Sequence, residues 1–471
     1  MRKNCIVIPV FCIFIRCSRN ASPTGIRRLS LTATNSKGDM TLKFTVKEVL
    51  QFVEENDVKF VRLVFFDVFG IKKNISIMSD ELESVFEHGA NIVPSNIDGF
   101  GGTDNSDLLL FPDPSTIKIL PWRPQNGRVA RLLCDIKNPN GTPFEGDVRS
   151  VLKNAVDQAE QMGFYTRVGV ACEFYLFRLD DNGLPTRIPH DNAGYLDVAP
   201  LDKGENVRRQ ICLTLEEMGI DPLSSHHENG PGQNEIDFRH SDLLSAADDF
   251  VTFKDVVKTS AASNGLFASF MPKPLPDKSG SGMHINLMLS KYGYNIFKDS
   301  GSGLNEHAQS FIAGILAHAA EMTVFFNPLS NSYARFGSHK APDTVDWSYQ
   351  GFHSLIRMPE VTTDQARVDF RSPDPSCNPY LAFALLLYAG MDGINQKMKL
   401  APPAEDTHSS SKLPLSLDEA VRCAENSQFI QNCLPPMIYR NYLSMKSAEV
   451  KAALSSVEQR QQTEERYFEV I

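Results

Sequence analysis

The sequence predicts an α+β protein that has a small N-terminal domain and a larger C-terminal domain. Between Thr41 and Lys137, short apolar segments alternate with turn residues, which is typical of a β-rich domain. After Phe144 the pattern changes to long segments with apolar residues at helical spacing, and strands that carry acidic residues lie between them. At 471 residues, of which 42% are hydrophobic, the chain is long enough to build both domains around full-sized cores.

The predicted elements follow this division in chain order. In the small domain, residues 60–70 and 116–122 contain apolar and β-branched segments that predict strands. Asp147 is placed to cap a helix that runs to Met162, because apolar residues recur behind it at helical spacing. Further helices are predicted at 206–218, 243–263, 305–326, 379–397 and 417–425, with an exposed loop at 400–414. We therefore expect an extension over residues 1–39, a first domain over 40–143 and a second over 144–471.

The extension differs in charge from the rest of the chain. It holds seven Lys/Arg and one acid, which leaves 40 Lys/Arg against 56 acids in the remainder of a chain with net charge −10. The acidic remainder argues against a nucleic-acid partner. The apolar run at residues 5–15 imitates the core of a signal peptide, and the lack of acids before Asp39 imitates a transit peptide, but an upstream extension with no packed role is the simpler interpretation. The run is too short to cross a bilayer, so we expect no membrane partner. The six cysteines after residue 39 show no CxxC spacing, which favours a reducing cytoplasm.

A pair of carboxylates frames a tight turn in the segment from His226 to Glu235. Glu228 and Glu235 lie on either side of a Gly-Pro-Gly sequence, so that a strand, a turn and a second strand would direct both acids into one pocket. Oxygen ligands of this kind favour Mg²⁺ or Mn²⁺. A solvated hairpin with ordinary surface acids is the alternative. His226 and His227 precede the first acid and either orient it, contact a nucleotide or stay structural.

Three further segments favour a buried site over a surface hairpin. Glu173 stands alone in the apolar run 167–177, where a carboxylate costs several kcal/mol unless a cation or donors compensate it. A glycine-rich turn that contains Gly280 leads into a strand with His284. In the segment 367–371, alternation places Arg367, Asp369 and Arg371 on one face of a strand, which suggests an anion clamp.

The order of these segments resembles that of the glutamine synthetase family, type I, over nearly all of the chain after residue 40. The resemblance implies a small β-grasp-like domain, then a larger catalytic domain whose antiparallel β-sheet forms a half-barrel surrounded by helices. It implies ATP-dependent activation of the glutamate side chain and its ligation to ammonia, with Mg²⁺ or Mn²⁺ as cofactor. It also implies a homo-oligomer, commonly a dodecamer of two stacked hexameric rings. The matching segments are 62–74, 97–100, 106–107, 112–113, 120–122, 199–202, 226–235, 331–335, 355–359, 374–375 and 378–381.

The resemblance also assigns roles to individual residues. It implies a first metal site made of Glu173, Glu228 and Glu235, and a second site to which His284 and Asp369 contribute. It places four arginines around glutamate and the transferring phosphoryl group, where they neutralise charge during phosphoryl transfer. Gly280 matches a loop glycine that contacts substrate, and Asn286 is a candidate nucleotide contact or a satisfied core residue. The four arginines are Arg335, Arg357, Arg367 and Arg371.

Several positions depart from the family pattern, and they match positions that the family uses to bind metal, ammonium or substrates. Ala171 stands where the second metal site has a glutamate, and Asp369 is one methylene shorter than the matching acid. Val93 stands where an aspartate binds ammonium, and Lys340 stands about where a flap carboxylate is expected. The arginine five residues before Arg357, a serine after His284 and a nucleotide-side acid are replaced by Phe352, Met288 and Leu223.

Three hypotheses about function follow from these departures. The first is a glutamate–ammonia ligase with unusual details. The second is a ligase that joins glutamate to a larger amine, for which Val93 and Phe352 would form an apolar amine pocket. The third is a catalytically weakened homologue that serves as an oligomeric scaffold or regulatory binder.

Overall fold

The computed structural model describes residues 44–101, 106–299, 301, 303–359, 362–406 and 411–471. The predicted extension over residues 1–39 lies outside the described residues. Residues 44–137 form a six-stranded sheet with two helices, and most of the remaining chain folds around an eleven-stranded sheet. The predicted α+β fold is confirmed.

The first part of the chain builds a sheet in the strand order β2-β1-β6-β4-β3, with β5 paired to β6. The central strands β1 and β6 run parallel, while β2 pairs antiparallel with β1, which gives a β-grasp domain. The elements are α1 (Val46–Glu55), β1 (Val58–Phe66), β2 (Lys72–Met78), α2 (Leu82–His88), β3 (Ala90–Ile92), β4 (Leu108–Pro112), β5 (Lys118–Ile119) and β6 (Arg128–Lys137).

The β-rich character of this region is confirmed, but the prediction from sequence omitted its two helices, α1 and α2. The start of α1 carries a clear sequence signal, since the Thr45 side chain accepts from the Glu48 backbone and Glu48 bonds back to Thr45. The helix then buries Val49, Phe52 and Val53 at helical spacing.

The second part of the chain surrounds a curled sheet with helices. Its main strand order is β16-β17-β18-β13-β7-β10-β9, and β8, β11 and β12 also pair with the long strand β7. The strands are β7 (Phe164–Leu179), β8 (Pro185–Pro189), β9 (Pro222–His227), β10 (Gln233–Phe238), β11 (Ser241–Asp242), β12 (Leu266–Ser269), β13 (Met283–Lys291), β14 (Tyr294–Asn295), β15 (Thr344–Val345), β16 (Trp347–Ser348), β17 (Ile356–Arg357), β18 (Val368–Phe370) and β19 (Ser411–Lys412).

Helices cover the outside of this sheet, and the predicted ones lie within one residue of their expected ends. Asp147 caps the first of them, and Asn305 and Ser416 cap two others through side-chain hydrogen bonds. The prediction omitted the last three helices. The helices are α3 (Val148–Gln161), α4 (Glu205–Glu217), α5 (Leu243–Ser263), α6 (Glu306–Phe326), α7 (Pro379–Gln396), α8 (Leu417–Glu425), α9 (Gln428–Cys433), α10 (Pro436–Ser455) and α11 (Val457–Val470).

The core of the second part contains the pair α6 and α7. Gly314 and Gly393 allow the two backbones to touch, because a Cβ atom on Gly314 would lie 2.2 Å from the Ala389 carbonyl oxygen. Among the described helices, α6 is long and apolar enough to cross a membrane, but 67% of that segment is buried inside the protein. We therefore read α6 as a core helix.

Candidate active site

Three glutamates meet on one face of the large sheet, and strand register explains why. Glu173 on β7 lies directly opposite Glu235 on β10, so both side chains point to the same face. Glu228 follows the last residue of β9 and is brought beside them by the turn to β10. Gly232 makes this turn possible, since its φ is +68° and a Cβ atom there would lie 2.7 Å from the Leu176 carbonyl oxygen.

In this three-glutamate cluster (Glu173, Glu228 and Glu235), two of the carboxylates lie against the ring of His226. The His226 Nε2 atom is 3.1 Å from Glu228 Oε1 and 3.6 Å from Glu235 Oε2. One ligand atom each from His226, Glu228 and Glu235 lies within 4.8 Å of the other two. The sequence left the role of His226 open, and the structure places its ring against the cluster.

Backbone and side-chain donors fix the orientation of two of the acids. Glu173 Oε2 accepts a hydrogen bond of 2.7 Å from the Gly282 backbone and one of 3.2 Å from Gln233 Nε2. Glu228 Oε2 accepts from the Asn229 backbone and from its side-chain amide, both at 2.8 Å. These roles of Gln233, Gly282 and Asn229 were not predicted from the sequence.

Mutual repulsion perturbs the cluster. Burial, together with the negative charge of Glu228, raises the pKa of Glu173 from about 4.5 to about 7. Burial and the neighbouring acids raise the pKa of Glu235 well above its ordinary value. Burial acts in the same direction on Glu228, but hydrogen bonds from His226 and the Asn229 backbone hold its pKa below the usual range. A divalent cation would remove this conflict, and an all-carboxylate oxygen set suits Mg²⁺ or Mn²⁺.

His227 points away from the cluster into a separate buried network. Its Nδ1 atom donates to the Glu228 carbonyl oxygen at 2.7 Å, and its Nε2 atom lies 3.0 Å from Asp191 Oδ1. Asp191 also accepts from the backbone of Gly232, which lies in the same turn. The structure thus makes His227 a support for the turn that carries Glu228.

A second group of residues lies two positions further along β7 and β10, on the same face of the sheet. Ala171 on β7 lies between Asp237 on β10 and His284 on β13, and we call these three residues the alanine row. Burial, together with the positive charges of Arg371, Arg335 and Arg357, lowers the pKa of His284 well below its usual value. His284 is therefore neutral at physiological pH, the form of imidazole that binds metals.

Asp369 lies on β18, near this row but engaged elsewhere. Its Oδ1 atom accepts a hydrogen bond of 2.8 Å from Arg367 Nε, and the residue pairs in register with Asn286 on β13 and Arg357 on β17. Burial raises the pKa of Asp369 above its ordinary value despite the nearby arginines. The carboxylate of Asp369 is thus already hydrogen-bonded to an arginine in this structure.

The predicted arginines lie around the same face, with hydrogen-bonding capacity left over. Arg335 is buried, and its Nη1 atom donates to the Ser372 carbonyl oxygen at 3.1 Å. Gly280 packs directly on it, since a Cβ atom there would lie 2.5 Å from Arg335 Cγ. Within the described part of the chain, the Nε atoms of Arg357 and Arg371 are buried without a hydrogen-bond partner. Such donors are what an incoming carboxylate or phosphate would satisfy.

The positions that depart from the family pattern alter the surroundings of these groups. The Arg357 guanidinium stacks 4.3 Å from the centre of the Phe352 ring. The Lys340 ammonium lies 5.2 Å from the same ring and 5.8 Å from the Tyr195 ring, which in turn packs edge-on against His226. Val93 and Leu223 are exposed. A lysine and two aromatic rings thus lie beside the three-glutamate cluster.

Comparisons with known proteins agree with this architecture. The family model described as "Glutamine synthetase, beta-Grasp domain" matches residues 57–139, and the model described as "Glutamine synthetase, catalytic domain" matches residues 145–465. A glutamine synthetase of Clostridium saccharobutylicum is 45% identical over 423 residues, which cover 86% of this chain and 95% of the relative. A glutamine synthetase of Methanosarcina mazei is 46% identical over 422 residues, which cover 86% and 94%.

Solved structures show the same fold. The structure described as "GmaS/ADP complex-Conformation 1" superimposes with a TM-score of 0.79 at 28% identity, covering 88% of this chain and 99% of that chain. The structure described as "Apo GmaS without ligand" gives the same TM-score and identity, covering 88% and 98%.

Proposed function

The chain belongs to the glutamine synthetase family, and from that premise we propose that it is an ATP-dependent ligase. It activates the side-chain carboxylate of glutamate as an acyl phosphate and joins it to ammonia. Family membership supports the reaction class, and the residues named below are our proposal for how this chain carries it out. The observation that carries the proposal is the convergence of three glutamates beside arginines with unsatisfied donors.

We propose that one set of residues binds the divalent cation and that another set binds the substrate anions. The three-glutamate cluster is the proposed holder of a divalent cation, for which the repulsion among its carboxylates provides the driving force. When bound, the cation neutralises phosphate charge during transfer. Gly282 and Gln233 orient Glu173, while Asn229 orients Glu228. We propose His284 as a neutral ligand in a second, weaker site, to which Asp369 contributes on release from Arg367.

The arginines are the proposed contacts for the substrate anions. Arg335 and Arg371 are assigned to glutamate and the transferring phosphoryl group, and Arg357 and Arg367 to the nucleotide phosphates. Burial lowers the pKa of Arg335 and of Arg371, yet both remain cationic because arginine is protonated throughout the physiological range. In a site shielded from water, their charge-assisted hydrogen bonds are strong and directional. Asn286 is assigned to the nucleotide side because it pairs in register with Asp369, whose other strand neighbour is Arg357.

A larger amine is the second candidate acceptor. Attack on the acyl phosphate requires a free amine, and Val93 provides no carboxylate to bind an ammonium ion and accept its proton. Lys340, Phe352 and Tyr195 add a positive charge and two aromatic faces near the cluster. Such surroundings disfavour a small cation and favour an acceptor with apolar surface.

The test is phosphate release by the full chain with Mg²⁺, ATP, glutamate and a panel of amines. We expect turnover that depends on glutamate, and a comparison of ammonium with alkyl and hydroxyalkyl amines identifies the acceptor class. A preference for ammonium rejects the second candidate. Glutamate-dependent ATP binding without turnover on any amine rejects the ligase and favours a scaffold or regulatory binder.

Val93→Asp tests the acceptor site directly, with Val93→Asn as the uncharged control. If Val93 stands at the ammonium position, the aspartate improves kcat/KM for ammonium by about tenfold, which corresponds to one favourable charge contact of about 1.4 kcal/mol. The asparagine leaves it unchanged. Equal behaviour of the two variants would show that position 93 does not face the acceptor.

Oligomeric state and compartment complete the proposal. We propose that the chain forms a homo-oligomer of the ring type and acts in the cytoplasm. Size-exclusion chromatography with light scattering measures the first. The buried thiols of Cys134, Cys172 and Cys377 are free, as expected in a reducing compartment.

A further inference from the structure

Gln233 is a buried amide at the base of the candidate active site. It is the first residue of β10 and is fully buried, and Glu235 of the three-glutamate cluster follows two residues later. An amide offers two donor hydrogens and a carbonyl acceptor, and each is costly to bury without a partner. The hydrogen bonds of Gln233 therefore show which parts of the site its side chain holds together.

The neighbours of Gln233 fix the orientation of its amide. The Oε1 atom accepts a hydrogen bond of 2.8 Å from the Gly230 backbone. The Nε2 atom donates to Glu173 Oε2 at 3.2 Å and to the Gly280 carbonyl oxygen at 3.0 Å. The reversed amide would set its own oxygen against two other oxygens and its NH₂ group against a backbone N–H, so the neighbours accept this orientation alone.

The two acceptors of this amide belong to different parts of the site. Glu173 is a proposed cation ligand, whereas Gly280 lies in the loop that packs on Arg335. The Glu173 Oε2 atom also accepts from the Gly282 backbone at 2.7 Å, and the Glu173 backbone donates to the Gly282 carbonyl oxygen at 3.0 Å. The loop segment 280–282 is thus held against Glu173 at both ends, by Gln233 at Gly280 and by direct contact at Gly282.

This loop has little room to absorb a displacement. The Tyr175 hydroxyl donates to the Ser279 carbonyl oxygen at 2.6 Å, and the Ser281 backbone donates to the Pro272 carbonyl oxygen at 2.8 Å. A Cβ atom on Gly280 would lie 2.5 Å from Arg335 Cγ, so the loop backbone and the arginine are in direct contact. A shift of the Glu173 carboxylate would therefore reach Arg335.

We infer that Gln233 is a positioning residue that couples cation binding to glutamate binding. The inference rests on the proposed function, which assigns the cation to Glu173 and glutamate to Gly280 and Arg335. A Glu173 carboxylate that holds a cation keeps one orientation, and the Gln233 amide then holds the Gly280 carbonyl in one place. Because both ligands favour the same arrangement of the amide, each raises the affinity for the other by the same factor.

Equilibrium binding of Mn²⁺ to the full chain, without ATP, tests this coupling. Electron paramagnetic resonance of free Mn²⁺ gives the Kd of the tighter cation site with and without saturating L-glutamate at constant ionic strength. Binding of Mn²⁺ by glutamate alone is measured without protein and subtracted. The ratio of the two Kd values is the coupling factor, and we expect at least about tenfold for the parent protein, within the range of about 5–150-fold that is typical of coupled sites.

Gln233→Met and Gln233→Glu are the decisive variants. Methionine has a similar size but no donor, and it leaves the Gly230 N–H without its acceptor. Glutamate keeps that acceptor, which protects the fold, but in neither protonation form can it donate to both Glu173 and Gly280. We expect both variants to lower the coupling factor by at least about fivefold, although Gln233→Glu adds a carboxylate and should bind Mn²⁺ at least as tightly as the parent. Direct attraction between cation and glutamate accounts for the coupling that remains.

Asn229→Ala is the matched control. Asn229 orients the neighbouring ligand Glu228 through its side-chain amide at 2.8 Å, just as Gln233 orients Glu173, and its backbone donor remains in the variant. We expect Asn229→Ala to weaken Mn²⁺ binding by about tenfold, because partners of metal ligands contribute about 10–100-fold to metal affinity. Its coupling factor should stay within about twofold of the parent, since the bond from Gln233 to the loop is intact.

Three outcomes would overturn the inference. The first is a coupling factor in either Gln233 variant that equals that of the parent. The second is an equal loss of coupling in Asn229→Ala, which would mean that coupling follows the geometry of any cation ligand. The third is the absence of coupling in the parent. A parent protein that binds no Mn²⁺ would also reject the proposed cation site, whereas coupling that is independent of Gln233 would leave the proposed function intact, so the two proposals can fail separately.

Discussion

The three-glutamate cluster and the alanine row lie two residues apart on the same strands, yet their charges are opposed. In the cluster, Glu173 and Glu235 face each other and repel. In the row, the position between Asp237 and His284 carries a methyl group, and burial together with three arginines depresses the pKa of His284. One location has an excess of negative charge, and the other is dominated by positive charge.

This difference shows how one substitution changes the balance of a site with two cations. A glutamate at position 171 would place a carboxylate beside His284 and offset the arginines there. Without it, Asp369 is the nearest predicted acidic ligand, and it is bonded to Arg367. We therefore expect one tight cation at the cluster and one weak cation at the alanine row.

The largest expected effect comes from Glu235→Gln, with Asp237→Asn as its control on the same strand. Loss of a proposed ligand should lower phosphate release by at least about 100-fold, since changes to groups that merely support a metal site already cost 10–100-fold. Asp237 accepts from the Ser224 hydroxyl at the edge of the row, and its loss should cost less than about threefold. Equal losses in the two variants would contradict the contrast between cluster and row.

Gly280→Ala tests whether the loop that packs on Arg335 takes part in glutamate binding. The new methyl group would lie 2.5 Å from Arg335 Cγ and 2.6 Å from the Pro272 carbonyl oxygen, so Arg335 must move. A displacement of about 1 Å can cost up to about 100-fold in rate, and we expect a rise in KM for glutamate of about tenfold or more. Gly101→Ala is the control, because nothing lies within 4 Å of its Cβ position. Unchanged glutamate kinetics would separate Gly280 from substrate binding.

Ala171→Glu tests the weak location itself, with Ala171→Gln as the control of equal size without charge. We expect the glutamate to raise activity at limiting Mg²⁺ by about tenfold, because a further carboxylate strengthens a hard-cation site. The titration of phosphate release with Mg²⁺ measures this change. Equal Mg²⁺ titrations for both variants would show that position 171 faces no cation.

The residues that make up the cluster and the charged face at 367–371 could be predicted from the sequence, because the patterns that indicate them are local. Glu173 interrupts an apolar strand, and Glu228 and Glu235 flank a turn, so both patterns can be read along the chain. Alternation on one strand likewise placed Arg367, Asp369 and Arg371 on a shared face. The strong helices were predicted for the same reason, since caps and apolar spacing are local features.

The remaining features depend on contacts between distant segments. The Gly282 backbone reaches Glu173 because β13 pairs with β7, and the neighbouring positions of Arg62 and Arg131 follow from the parallel pairing of β1 and β6. No pattern within either segment indicates these registers. The omission of α1 was a different error, since the Thr45 and Glu48 capping signal was present but was not used.

The smallest expected effect is the pH dependence of stability in metal-free protein, where Glu173→Gln reports on the cluster alone. The pKa of Glu173 lies at about 7 in the folded protein and near 4.5 when unfolded, so the folded state binds the extra proton between these values. Wild-type stability should therefore fall, relative to Glu173→Gln, as pH rises from about 4.5 to about 7. Thermal unfolding in EDTA at pH 5 and pH 8 measures this difference. Saturating Mg²⁺ should reverse it at pH 8, because the cation stabilises the ionised wild-type cluster and the glutamine variant lacks one ligand. If the difference in unfolding temperature between the two proteins depends on neither pH nor Mg²⁺, Glu173 is neither repelled by Glu228 nor a ligand of the cation.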